Sequence, residues 1–178
     1  MKNKFIVFDR DGTLIKHIPY VYKVKDIKLF DDTIKSIELL KKNDFKFFLH
    51  TNQSGISRKY FTMDDVVKCN NKLIDLIGLG NDLFEDICIA EDYPPKKNSY
   101  RKPSPRFGLE IIKKYKINKN DLFYIGDSIS DLQTGNNIGC YSYGVNTGLI
   151  DLKSNCLNID QYNISNNLYD TVKKIIKK

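Results

Sequence analysis

A chain of 178 residues with 41% hydrophobic content is one domain's worth, with enough apolar material for a sizeable core. No apolar run approaches the ~20 residues that a membrane-spanning helix requires, and Met1-Lys2-Asn3-Lys4 leads directly into an apolar stretch, so neither a span nor a secretory leader is expected and the predicted location is cytoplasmic. The net charge of +7 is read mainly as lysine on solvated faces, including Lys173, Lys174, Lys177 and Lys178 at the end of a terminal helix, although it also favours anionic substrates.

In chain order, apolar runs and helical periodicities alternate. Strands are predicted at Lys4 to Phe8, Lys46 to Thr51, Asp86 to Ala90, Asp121 to Ile125 and Tyr141 to Val145. Between the first two strands, Ile34, Ile37, Leu40 and Lys41 form one face of a helix ending near Asn43. Thr62 and Asp65 make a capping box ahead of Val66, Val67, Leu73, Ile74 and Ile77. Further helices are expected from about Pro105 to Tyr115, from Ser130 to Asn136 and from Asn166 to Ile176. Such alternation implies an α/β fold: a Rossmann-like parallel sheet with helices on both faces, residues 1–178 forming a single domain. One loop and one helix fill the interval between the first two strands, which leaves no room for a large cap domain. Cys69, Cys88, Cys140 and Cys156 are irregularly spaced with no Cys-x-x-Cys, which reads as reduced and mostly buried thiols.

Four polar stretches follow the strands or open a helix. Phe8-Asp9-Arg10-Asp11-Gly12-Thr13 places two carboxyls where a strand gives way to a tight turn: one can attack phosphorus, and the other can protonate the departing oxygen. Thr51-Asn52-Gln53-Ser54-Gly55 offers a hydroxyl and successive backbone N–H groups to phosphate oxygens. Arg101-Lys102-Pro103-Ser104-Pro105 offers two cations before a helix, with Pro105 in its first turn. Gly126-Asp127-Ser128-Ile129-Ser130-Asp131 offers a hard oxygen ligand for Mg²⁺ at Asp127 and a supporting acid at Asp131. In open α/β sheets ligands bind beyond the carboxyl ends of the strands, where Asp9, Thr51 and Asp127 are expected to meet. Ser54 to Phe61 and Tyr93 to Ser104 are the loops expected to touch substrate.

This set resembles the haloacid dehalogenase superfamily of phosphohydrolases, whose four motifs match Asp9 with Asp11, Thr51, Lys102, and Asp127 with Asp131 over about residues 4 to 150. The forms Asp-Arg-Asp-Gly-Thr, Thr-Asn-Gln-Ser-Gly-Ile and Arg-Lys-Pro are similar to the branch containing D-glycero-D-manno-heptose 1,7-bisphosphate phosphatase and the histidinol-phosphate phosphatases. The segment from Tyr20-Val21 through Phe30-Asp31, and Arg58, also look like the heptose enzyme. The resemblance implies an aspartyl-phosphate on Asp9, with Asp11 as general acid and then base. It implies Mg²⁺ held by the Asp9 side chain, the Asp11 backbone carbonyl and Asp127, with Thr51 and Lys102 on the phosphate and Asp131 behind Lys102 or the metal. Arg101, Asn52 and Arg58 are expected to bind substrate. Arg10 is left without a defined duty, its side chain pointing away from the metal.

In one respect the chain departs from that branch. Many members carry a zinc loop before Arg-Lys-Pro, with Cys-x-His and Cys-x-Cys ligands, whereas Ala90, Asp92, Asn98 and Tyr100 stand at those positions here. A closed tetrahedral site needs four such ligands, so no structural zinc is expected. The implied substrate is a small phosphorylated sugar, a heptose bisphosphate losing its 7-phosphate in nucleotide-activated heptose synthesis. Histidinol phosphate and a polynucleotide 3′-phosphate are the alternatives. Nucleic acid is disfavoured, no membrane is expected to be involved, and the protein is expected to be a monomer.

Overall fold

Side chains alternate between two apolar layers along the central strands, and that alternation fixes the architecture. The computed structural model describes residues 4–155 and 162–178; Cys156, expected as a reduced thiol, lies outside them. From β1 (Lys4–Phe8), Ile6 and Phe8 enter one layer, while Phe5 and Val7 enter the other. β2 (Phe45–Asn52) sends Phe47 and Leu49 one way and Phe48 the other. β4 (Leu122–Gly126) does the same with Phe123 and Ile125 against Leu122 and Tyr124. A strand apolar on both faces is the signature of a parallel sheet covered on both sides.

With β3 (Phe84–Ala90), β5 (Tyr141–Val145) and β6 (Asn163–Ser165), the strands form a six-stranded sheet of order β3-β2-β1-β4-β5-β6 in which every pairing is parallel. The strand order reverses between β1 and β4, where both neighbours continue to opposite faces and a crevice opens at the carboxyl ends. One apolar layer takes α1 (Thr33–Lys41), α2 (Met63–Ile77) and α6 (Leu168–Ile176); the other takes α3 (Arg106–Tyr115) and α4 (Ile129–Ile138). A short α5 (Leu152–Asn155) follows β5. Only α1 and a 3-10 turn at Val24–Asp26 stand between β1 and β2. Among the described residues no helix is long and apolar enough to cross a membrane.

The sequence-based bounds shift in ways that side-chain chemistry explains. α2 starts at the expected capping box, Asp65 N–H donating to Thr62 Oγ1 and Thr62 N–H to Asp65 Oδ2. Its buried face carries Cys69 and Asn70, while Val67 is exposed. Ile34 is exposed as well, because Thr33 and Ser36 take the buried positions of α1, their hydroxyls donating to the Leu14 and Asp32 carbonyls at 2.8 and 2.6 Å. Pro105 caps α3 from outside the helix instead of sitting in its first turn. α4 is longer than expected at both ends, from a capping box of Ser128 with Asp131 to Gly139 at φ 80°. α6 begins at Leu168, with Asn167 accepting the Asp170 N–H at 2.8 Å. β6 was not foreseen: of its three residues only Ile164 is a large apolar side chain. Cys69 and Cys88 are buried free thiols, and Cys140 is half-buried.

Candidate active site

At the end of β1 the Asp9 N–H donates to the Ile125 carbonyl at 2.9 Å, so the chain leaves the sheet against β4. The turn that follows is tight. Leu14 and Ile15 N–H groups both donate to the Arg10 carbonyl, and Gly12 adopts φ 87°, a conformation that favours glycine. The four expected stretches meet here. Asp9 comes from β1, Thr51 from β2, Lys102 from the loop before α3, Asp127 from the end of β4 and Asp131 from the first turn of α4.

Lys102 is buried and pairs directly with Asp9 and, at 2.6 Å, with Asp131 Oδ1. Carboxylate oxygens of Asp9, Asp127 and Asp131 all lie within 4.8 Å of one another. Three buried acids thus face one buried cation. Burial pushes Asp9 up to about 7 against the pull of Lys102, with Asp131 and Asp11 adding to the rise. Burial, followed by the Asp9 and Asp131 charges, pushes Asp127 up to about 9. Burial works against the Lys102 cation, yet Asp131 and Asp9 outweigh it and hold its pKa above the ordinary lysine value. A divalent cation with a preference for hard oxygen ligands satisfies that excess of negative charge. Asp131 has both oxygens engaged, one by Lys102 and one by the Ser128 N–H and hydroxyl, so Asp9 and Asp127 are the carboxylates left for a metal. Thr13 Oγ1 donates to Asp127 Oδ1 at 3.4 Å.

Asp11 lies to the side. Its Oδ2 accepts from Gln53 Nε2 at 2.9 Å, Thr51 Oγ1 at 3.3 Å and Arg10 Nε at 3.1 Å. Beside it opens a cavity of about 230 Å³ lined by Asp11, His17, Tyr20, Asn52, Gln53 and Ser54. Asn52, expected to bind substrate, brackets the Lys102 backbone, its Oδ1 accepting the Lys102 N–H at 3.0 Å and its Nδ2 donating to the Lys102 carbonyl at 3.4 Å. Arg58 and Arg101 converge on Tyr93, their guanidinium carbons 3.8 and 5.5 Å from the centre of its ring. Of the positions compared with a zinc loop, Asp92 lies 3.5 Å from Lys96, the Asn98 carbonyl accepts from Arg106, and Tyr100 donates to Glu110 at 2.9 Å.

Several residues were not found by sequence reasoning. His50, fully buried on β2, receives the Tyr124 hydroxyl at Nδ1 (2.8 Å) and reaches the Tyr100 carbonyl with Nε2 (2.9 Å). A carbonyl only accepts, so Nε2 carries the proton and Nδ1 takes the hydroxyl. Burial and the Lys102 charge push its pKa down to about 3 and keep it neutral. The turn after β5, given no chemistry from sequence, closes on the site. Thr147 Oγ1 donates to the Gly12 carbonyl at 2.5 Å, and Gly148 packs so tightly on Asp127 that a side-chain carbon there would overlap its carboxylate. Its one sequence signal was position, at the carboxyl end of a parallel strand.

Comparison with known proteins agrees with this geometry. The family model described as polynucleotide kinase 3 phosphatase matches residues 4–143. The chain is 32% identical over 139 residues to D-glycero-beta-D-manno-heptose-1,7-bisphosphate 7-phosphatase of Haemophilus influenzae, covering 75% of this chain and 76% of that one. It is 30% identical over 142 residues to the histidine biosynthesis bifunctional protein HisB of Campylobacter jejuni subsp. doylei, covering 78% of this chain and 40% of HisB. Its fold superimposes on that of D,D-heptose 1,7-bisphosphate phosphatase from B. bronchiseptica, a structure complexed with magnesium and phosphate, with a TM-score of 0.87, 23% identity and 98% of each chain covered. The chain therefore belongs to the polynucleotide kinase 3 phosphatase family, and its relatives include heptose bisphosphate phosphatases.

Proposed function

We propose that residues 1–178 act as one Mg²⁺-dependent phosphomonoester hydrolase domain that removes the 7-phosphate of D-glycero-D-manno-heptose 1,7-bisphosphate. The observation that carries this reading is Asp9, a buried carboxylate oriented by Lys102 and grouped with Asp127 and Asp131 at the sheet's switch point. Asp9 and Asp127, with the Asp11 backbone carbonyl, are the groups that would hold Mg²⁺, which when bound offsets the negative charge that repels a nucleophilic carboxylate from phosphate.

An Asp9 oxygen attacks phosphorus in line, forming an aspartyl-phosphate as the bond to the sugar oxygen breaks. Asp11 gives its proton to that departing oxygen. A water then attacks the same phosphorus, its proton passing to Asp11 while the bond to Asp9 breaks, and both residues return to their starting states. Thr51 and Lys102 hydrogen-bond the equatorial oxygens, where charge accumulates in the transition state. The small cavity beside Asp11, with Asn52, Gln53 and Ser54 among its lining residues, has room and hydrogen-bonding groups for a sugar as leaving group. Arg58 and Arg101, gathered on Tyr93, offer positive charge to a second phosphate.

Asp9→Asn removes the nucleophile while keeping the side chain's shape. Turnover should be abolished with the circular dichroism spectrum and melting transition retained; substantial residual activity in that variant would refute the assignment of Asp9.

A further inference from the structure

Arg10 is fully buried, and the chemistry above gives it no task. A guanidinium removed from water persists only where it is paired and hydrogen-bonded. Its partners are specific. Nε and Nη2 form a fork on Asp11, with contacts of 3.1 Å to Oδ2, 3.1 Å to Oδ1 and 3.0 Å to Oδ2. Nη1 faces the opposite way and donates at 2.9 Å to Oδ1 of Asn70, a buried residue on α2. The guanidinium is therefore held between the general acid and a helix that contributes nothing else to the chemistry.

The two Asp11 oxygens are not equivalent. Oδ2 accepts from Arg10 Nε and Gln53 Nε2, which occupy its two lone pairs whether or not the Thr51 hydroxyl turns to the phosphate. Oδ1 accepts from Arg10 Nη2 alone among the contacts described. We infer that Asn70, acting through Arg10, is a positioning residue that fixes the rotation of the Asp11 carboxyl and so makes Oδ1 the atom that carries the proton. The inference rests on the phosphatase reading above. In the first step the Oδ1 proton goes to the sugar oxygen as its bond to phosphorus breaks and the Asp9 bond forms. In the second, Oδ1 takes a proton from water as the water oxygen bonds phosphorus and the Asp9 bond breaks.

A proton donor matters for a sugar alkoxide and hardly at all for nitrophenolate, which departs as a stable anion. The test is the pre-steady-state burst, which reports phosphoryl transfer to Asp9, measured with heptose 1,7-bisphosphate and with p-nitrophenyl phosphate in wild type, Asn70→Leu and Arg10→Lys. Asn70→Leu keeps the volume and removes the acceptor; Arg10→Lys keeps the charge and removes the fork. The expected result in both is a burst on the sugar phosphate slowed at least tenfold, with the nitrophenolate burst slowed less than threefold. Equal slowing on both substrates, or no slowing on the sugar phosphate, would overturn the inference. Should Asn70→Leu fail to melt cooperatively, Arg10→Lys decides. Failure of the phosphatase reading itself would be visible in the wild type, as the absence of Mg²⁺-dependent phosphate release from either compound.

Discussion

Replacing Gly148 with alanine places a methyl group against the Asp127 carboxylate, overlapping Oδ2 and lying 2.9 Å from Cγ and 3.0 Å from Cβ. Carbon atoms in contact prefer about 3.5 Å, so Cγ alone must retreat by roughly 0.6 Å and the overlapped Oδ2 by more than that, or the turn must lift. The turn is pinned just before the collision, by Thr147 Oγ1 on the Gly12 carbonyl at 2.5 Å and by the Asn146 N–H on the Ser165 carbonyl at 2.8 Å. Gly148 lies outside the left-handed backbone region, so alanine meets no conformational penalty there. The carboxylate is the part that moves. Metal–ligand distances tolerate only about 0.2 Å, and disturbing the groups that hold a ligand in place typically costs about 10–100-fold in metal affinity. Gly148→Ala should therefore raise the Mg²⁺ concentration giving half-maximal phosphate release by that factor, with a rate at saturating Mg²⁺ much closer to wild type. Titrating the rate with MgCl₂ measures both. An unchanged half-saturation point in a variant that melts normally would show that Asp127 does not hold the metal or that the turn yields freely.

The buried acids also set a pH dependence. The folded-state pKa values of Asp9 and Asp127, about 7 and about 9, stand above the ordinary 3.8, so the folded state binds more protons than the unfolded one. The stability they contribute is complete below about pH 3.8 and is lost as pH rises through 7 and then 9; metal-free protein should melt lower at pH 9 than at pH 6, and Mg²⁺ should restore the difference. A melting temperature independent of pH across that window without metal would contradict the charge excess in the site. His50→Phe keeps the ring but orphans the buried Tyr124 hydroxyl and Tyr100 carbonyl, each costing about 1–3 kcal/mol. Urea unfolding should show the loss, and a change below 1 kcal/mol would mean that both groups find other partners. Thr62→Ala removes the side-chain half of the α2 capping box and should lower stability by about 1 kcal/mol while leaving turnover intact, as read from the denaturation midpoint and the steady-state rate.

The candidate site was legible where strand logic applies. Asp9, Thr51 and Asp127 each stand within two residues of the end of an apolar run, and in a parallel sheet all such positions lie at one edge, so sequence alone brings them together. Lys102 needed its basic neighbour and the helix start behind it to be noticed. Asn70 carries no such signal: a lone Asn inside a helical pattern reads as a solvent-facing residue, and only the inward turn of α2 reveals it as the anchor of a buried guanidinium. Thr33 and Ser36 displaced Ile34 from the core for a related reason, because short hydroxyl side chains can be buried wherever a backbone carbonyl is within reach. Asn52 was expected to bind substrate, and its amide holds the Lys102 backbone, an interaction across fifty positions that periodicity cannot indicate. β6 is too short for its alternation to stand out, yet its register against β5 pins the turn that carries Gly148 to Asp127.

The central claim is that this site hydrolyses a sugar phosphate through Asp9 with Mg²⁺. Phosphate release, with and without Mg²⁺, from heptose 1,7-bisphosphate in both anomers, histidinol phosphate and a 3′-phosphorylated oligonucleotide tests it most directly. Fast, Mg²⁺-dependent release from a heptose anomer, absent in Asp9→Asn, is the predicted result. Preference for either of the other substrates would keep the chemistry and contradict the sugar, and no Mg²⁺-dependent release from any of them would contradict the account as a whole.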